Sequence, residues 1–113
     1  MQDFRKKLEY IREDSFTMAM AKVIKRHRIR LGISRDHLAF QLGLHKNTLY
    51  GIEVGYKRKN APFRHQQISM LNFVHLASCY KTDPGDLLNE IIGCALELQE
   101  NDCNPPIFSG AVK

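Results

Sequence analysis

Apolar positions recur at helical spacing along most of this chain, and the pattern breaks at Gly32, Gly43 and Gly55. Between Met18 and Leu31, Val23 and Ile24 face inward while Lys22, Lys25, Arg26 and Arg30 face outward, predicting a first domain helix that Gly32 ends. Ser34 is a capping residue ahead of a short second helix whose inner face carries Leu38, Ala39 and Leu42. Gly43, just past the last periodic residue, can take the left-handed conformation that closes a helix and reverses the chain, and Leu44 anchors the turn. A third helix is expected from Lys46 through Val54, with Leu49 and Ile52 as its buried pair and Gly55 as its stop.

Ser69 opens a fourth apolar run, expected to bury Leu71, Val74 and Leu76 or Ala77. Asp83-Pro84 starts a fifth helix, with aspartate as cap and proline in the first turn, and Leu87, Leu88, Ile91, Ile92 and Ala95 form a stripe along it. The two leucines are expected to close the core. Such a core has limited surface left to cover Ile91, Ile92, Ala95 and Leu98, which therefore read as a dimer interface. At the other end Phe4, Leu8 and Ile11 are spaced four and three apart, an amphipathic helix that packs on a neighbouring subunit or on its own domain. The tail NDCNPPIFSGAVK has little periodicity. The chain thus divides into an N-terminal amphipathic extension (1–17), a helical domain (18–92) and a C-terminal extension with a tail (93–113).

The stretch SRDHLAFQLGLHKNTLYGIE, Ser34 to Glu53, places small, apolar and polar residues where two helices crossing at a tight turn require them. This is the helix-turn-helix pattern, and the alternative is an ordinary helical hairpin. Lys46, Asn47, Tyr50 and Gly51 are left on the outward face, polar and narrow enough for a DNA major groove. Asn47 can pair with adenine, Lys46 can donate to guanine, and Tyr50 can touch a thymine methyl or a phosphate, while Gly51 permits close approach. Arg35, Thr48, Lys57, Arg58 and Lys59 are the expected phosphate contacts, which fix register without specifying sequence.

These residues resemble the Cro and phage-repressor-like family of helix-turn-helix regulators, the Xre type. Arg35 opens the motif, Ala39 is its fifth residue, Gly43 its ninth, Leu49 its fifteenth and Ile52 its eighteenth, and Glu53-Val54-Gly55 fits the E-x-G ending. FVHLASCYKTDPGDLL is similar to the family's final helix pair. The resemblance implies an all-α, compact five-helix lambda-repressor-like DNA-binding domain, here with an additional N-terminal helix and a C-terminal helical extension. It also implies that Glu53 pairs with Arg28 of the first domain helix. Departures are Arg35 where glutamine is frequent, His45 where serine or threonine usually caps the recognition helix, and Tyr80-Lys81 where Leu-Gly is common. GYKRKNAPFRHQQIS is also longer than the family's connection.

Composition agrees with one small domain and leaves little room for a large enzyme cleft: 113 residues, 43% hydrophobic, net charge +5. The charge is uneven. Residues 18–67 carry eleven Lys or Arg against Asp36 and Glu53, a balance of +9, whereas residues 68–113 stand at −4. Positive charge gathers on the half that holds the motif, favouring a polyanion through counterion release. Cys79, Cys94 and Cys103 form no CxxC pair, so reduced thiols are expected, with a Cys94–Cys103 redox pair as the alternative. His27, His37, His45, His65 and His75 lack metal-site spacing, and no glycine elbow or phosphate loop is present, so no metal, cofactor or enzyme activity is expected. A cytoplasmic protein, nucleoid-associated when bound to DNA, is expected from the absence of a membrane-length apolar run and of a signal-peptide core. The expected function is a sequence-specific transcriptional regulator, a homodimeric repressor occluding an operator in double-stranded DNA and relieved by a protein partner such as an antirepressor. A DNA-binding antitoxin paired with a toxin, or a protein-interaction module on the same fold, are the alternatives.

Overall fold

The computed structural model describes residues 8–103, and among these residues amphipathic periodicity and local caps produce five complete α-helices. They are α1 (Glu13–Arg30), α2 (Arg35–Leu42), α3 (Lys46–Glu53), α4 (Met70–Cys79) and α5 (Pro84–Cys103). Among the described residues no strand forms beyond one isolated antiparallel bridge, Tyr56 to Arg64, so the fold is all-α. One apolar core takes Val23 and Ile24 from α1, Leu38 from α2, Leu49 and Ile52 from α3, Leu76 from α4, and Leu87 and Ile91 from α5. The most extensive packing is α1 on α5, and α3 rests on both α1 and α2. No helix among the described residues is long and apolar enough to cross a membrane.

The short helices start and stop on local chemistry. Ser34 accepts the N–H of His37 at 3.1 Å, and Gly43 closes α2 at φ +68°. Asp83 accepts the N–H groups of Gly85 and Asp86, with Pro84 as the first residue of α5. Ser69 caps α4 through the N–H of Asn72.

Three expectations about the longer helices are corrected. α1 begins at Glu13 rather than Met18, and Ser15 and Thr17 are buried. Its start has no side-chain cap. Instead the N–H of Arg12 donates to Gln99 on α5, whose amide donates in turn to the carbonyl of Tyr10. Ile11 packs against the core, Leu8 is exposed, and Phe4 lies outside the described residues.

α4 is rotated from the expected face: Leu76 and Ala77 are fully buried, but Leu71 and Val74 are exposed, and Phe73 and Tyr80 complete the inner side. On α5, Ile91 and Ala95 are fully buried inside their own chain, Leu98 packs on the same core and Ile92 is half-buried. They therefore do not form a free dimer face. The reason is the length of α1: its additional first turn and α5, which continues unbroken through Gly93, cover one another. The tail from residue 104 lies outside the described residues.

An open apolar groove of about 410 Å³ lies between α1, α4 and the start of α5, lined by Phe16, Met20, Ile68, Met70, Phe73, Val74, Pro84, Gly85 and Leu88.

Tyr80-Lys81 has a structural account. The buried Tyr80 hydroxyl donates to the carbonyl of Ile24 at 2.7 Å, and burial pushes its ionisation well above the usual phenol range. Lys81 then takes the left-handed conformation, φ +57°, in which glycine is at ease. Next to Tyr80, His27 stacks on its ring and shares Glu90 with Arg26: the carboxylate accepts from His27 Nε2 at 2.9 Å and from Arg26 at 2.7 Å.

Lys81→Gly is expected to stabilise the fold by up to about 1 kcal/mol by relieving the left-handed Cβ contact, seen as a higher urea midpoint at unchanged m value. Burial raises the Glu90 carboxyl, but the hydrogen bonds from His27 and Arg26 outweigh it and hold the group below its ordinary range. Its contribution is then complete above the ordinary carboxylate range and disappears as pH falls through the lowered value. Glu90→Gln should lower Tm at neutral pH and converge with the unsubstituted chain in acid.

Candidate nucleic-acid interface

Successive residues on a helix are turned by about 100°, so Lys46, Tyr50 and Asn47 of α3 share one sector roughly a quarter-turn wide. All three are exposed, and Leu49 and Ile52 on the opposite side are buried. The helix is short, and its two ends are satisfied from outside it. At the start, Nδ1 of His45 accepts the N–H of Asn47 at 3.0 Å, so an imidazole does the work of the serine or threonine expected there. At the end, the carbonyl of Gly51 accepts the N–H of Gln66 at 2.8 Å, and the carbonyl of Ile52 meets Nδ1 of His65 at 3.2 Å. These are carbonyls that a helix terminus otherwise leaves unpaired.

Charge defines one edge of the sector. Glu53, whose side chain is wholly buried, accepts Arg28 Nε at 2.8 Å and Nη2 at 3.1 Å, and Arg35 Nε at 3.1 Å. Arg28 also donates from Nη1 to the carbonyl of Ile33. Arg28 and Glu53, paired in the sequence reading, thus meet inside the core. The Arg35 guanidinium lies over the Tyr50 ring, 5.3 Å from its centroid. Arg35, expected as a phosphate contact, is therefore held on the rim of the sector by Glu53 and Tyr50.

The connection between α3 and α4 defines the other edge. Gly55 turns the chain at φ +96°, and the Phe63 ring occupies the space where a side chain at Gly55 would stand. Tyr56 and Arg64 exchange both backbone hydrogen bonds, at 2.8 and 2.9 Å. Ala61 N–H donates to the carbonyl of Arg58, and Asn60 is left-handed at φ +63°. The base of this hairpin covers Gly51: a Cβ there would lie 2.8 Å from Gln66 Oε1 and 3.7 Å from Tyr56 Cδ1. Gly51 is consequently buried, which corrects its expected place on the outward face. Its lack of a side chain leaves room for the Gln66 side chain.

Lys57, Arg58 and Lys59 are exposed along this hairpin, and Thr48 is half-buried. Arg58 lies 5.4 Å from the Tyr56 ring centroid. Sequence reasoning missed Tyr56, Asn60, Arg64 and Gln66, because the segment has no helical period and its form depends on hydrogen bonds to α3. The capping role of His45 was also missed, since that residue type is an unusual cap.

Among the described residues no group of three or more His, Cys, Asp or Glu could hold a metal ion. Comparison with protein-family models, with curated proteins and with solved structures finds no match.

Glu53→Gln should leave Arg28 buried without a countercharge and reduce unfolding free energy by about 3–5 kcal/mol, a loss readable in urea denaturation at neutral pH.

Proposed function

We propose that the chain is a sequence-specific DNA-binding regulator of the Cro and phage-repressor-like type, built on a lambda-repressor-like domain and repressing by occlusion of an operator. The observation that carries this reading is the exposed sector of α3. It presents Lys46, Asn47 and Tyr50 together, bordered by Arg35 on one side and a basic hairpin on the other. In a major groove, Asn47 offers an amide for bidentate pairing with adenine, Lys46 donates to guanine acceptors, and Tyr50 meets a thymine methyl. Lys57, Arg58 and Thr48 supply phosphate contacts that hold register.

Three side chains read only a few base pairs, too few for a selective operator, so two copies on two half-sites are part of the proposal. The face offered to the second copy is the α1–α4–α5 groove, with Met70 and Val74 exposed in its wall and Leu71 exposed beside it. No charged residue lines that groove, so the same patch on both subunits can pair without burying a charge.

The test is selection of duplexes by the full-length chain from a random-sequence pool, followed by footprinting and a salt series. A two-fold symmetric footprint is expected, and Asn47→Ala should lose about 1–3 kcal/mol of discrimination at one or two base pairs per half-site. Lys57→Ala should weaken all duplexes alike and reduce the slope of log K against log salt by about 0.9 per subunit. Failure to enrich any sequence, with equal binding of all duplexes, would leave the protein-interaction module as the better reading.

A further inference from the structure

Between Val54 and Thr82 the sequence contains no acidic residue, while Lys57, Arg58, Lys59 and Arg64 lie in the first eleven positions of that stretch. These four cations and Asn60 are exposed, and none of the cations forms an ion pair among the described residues. They are carried on a hairpin whose base is fixed to α3 through Gln66 and Gly51, whose ladder is the Tyr56–Arg64 bridge, and whose tip is the turn from Arg58 to Ala61. Arg58 and Arg64 also line, with Tyr56, a notch of about 230 Å³ on its surface. A turn that served only to connect α3 to α4 would not need this concentration of unpaired cations on a braced scaffold.

We propose that the hairpin is a second reading element for double-stranded DNA. Its Lys59-Asn60 tip enters the minor groove beside the major groove occupied by α3, and Arg58 and Arg64 hold the phosphates at that groove's edge. The inference rests on the DNA-binding reading above and adds to it a second site of base discrimination.

Reach and chemistry both fit. A helix with its side chains is about 10–12 Å across and fills a major groove about 12 Å wide, so an element fixed to its flank lies against the neighbouring phosphate ridge. The tip stands three residues beyond the bridge, about 10 Å at the rise of extended chain, enough to cross that ridge. A·T pairs present only acceptors in the minor groove, to which a Lys ammonium and an Asn amide donate, whereas the guanine N2 amino group obstructs both. A narrow A·T minor groove also concentrates the negative potential that draws such a tip inward.

The experiment uses the full-length chain and the duplex it selects from a random pool, with the base pairs flanking each α3 footprint made A·T, G·C or inosine·C. Inosine·C keeps the major-groove face of G·C and lacks the minor-groove amino group. The unsubstituted protein is expected to bind G·C flanks about tenfold more weakly than A·T flanks and to recover on inosine·C. A Lys59→Ala/Asn60→Gly double variant, in which glycine preserves the left-handed turn, is expected to bind all three alike while keeping its preference at the central positions. Indifference of the unsubstituted protein to the flanks, equal weakness on G·C and inosine·C, or a flank preference retained by the variant would overturn the hairpin's role and leave α3 readout standing. Failure to select any duplex would overturn both.

Discussion

The Glu53 carboxylate is the point on which the geometry of the exposed α3 sector depends. It is buried, it receives two donors from Arg28 and one from Arg35, and Arg28 spends a further donor on the carbonyl of Ile33. One side chain at the end of α3 is thereby tied to α1, to the start of α2 and to the loop between them. Buried ion pairs are weak sources of net stability, because removing two charges from water opposes their attraction. Their directional demand is stronger: a guanidinium meets both carboxylate oxygens only when the two groups lie nearly coplanar, as Arg28 does here through Nε and Nη2. Leu49 and Ile52 press α3 onto the core, but apolar contacts alone are non-directional and would tolerate rotation of so short a helix. The ion pair selects the rotation in which Lys46, Asn47 and Tyr50 face outward.

An eight-residue helix such as α3 is too short to persist in water by itself. Its ends are closed by His45 on one side and by Gln66 and His65 on the other, residues that belong to the turn and to the hairpin. The hairpin is thus part of the machinery that keeps α3 helical. Gly51 lies under the base of the hairpin, where a Cβ would displace the Gln66 side-chain oxygen and stand in ordinary contact with Tyr56.

Where structure is decided locally, it was legible in the sequence. The bounds of α2 and the start of α3 follow from Ser34, Gly43 and the apolar spacing between them, and the outward placement of Lys46, Asn47 and Tyr50 follows from the helical period alone. The errors occur where distant contacts decide. α1 acquires its first turn with the help of Gln99, nearly ninety residues away, which no local signal announces. α4 reads MLNFVHLASC, apolar on almost every side, so its period did not distinguish the face bearing Leu71 and Val74 from the one bearing Phe73 and Ala77. The stripe on α5 is apolar as its period requires, but nothing local in the sequence shows that α1 extends far enough to cover it, so the expected second-subunit interface is filled within the chain. The hairpin has no period at all and takes its form from α3.

The pairing of α1 with α5 also bears on how the protein is made. α1 leaves the ribosome early and α5 late, yet Ala19, Val23 and Ile24 are buried in a core that Leu87, Ile91 and Ala95 complete. A nascent chain that stops short of Pro84 has α1 to α4 but lacks the last wall of its core, and small domains have little burial to spare. Synthesis of α3 and completion of the core it rests on are therefore separated in time. Until α5 has emerged, the basic half of the chain lacks the helix against which α1 packs most extensively.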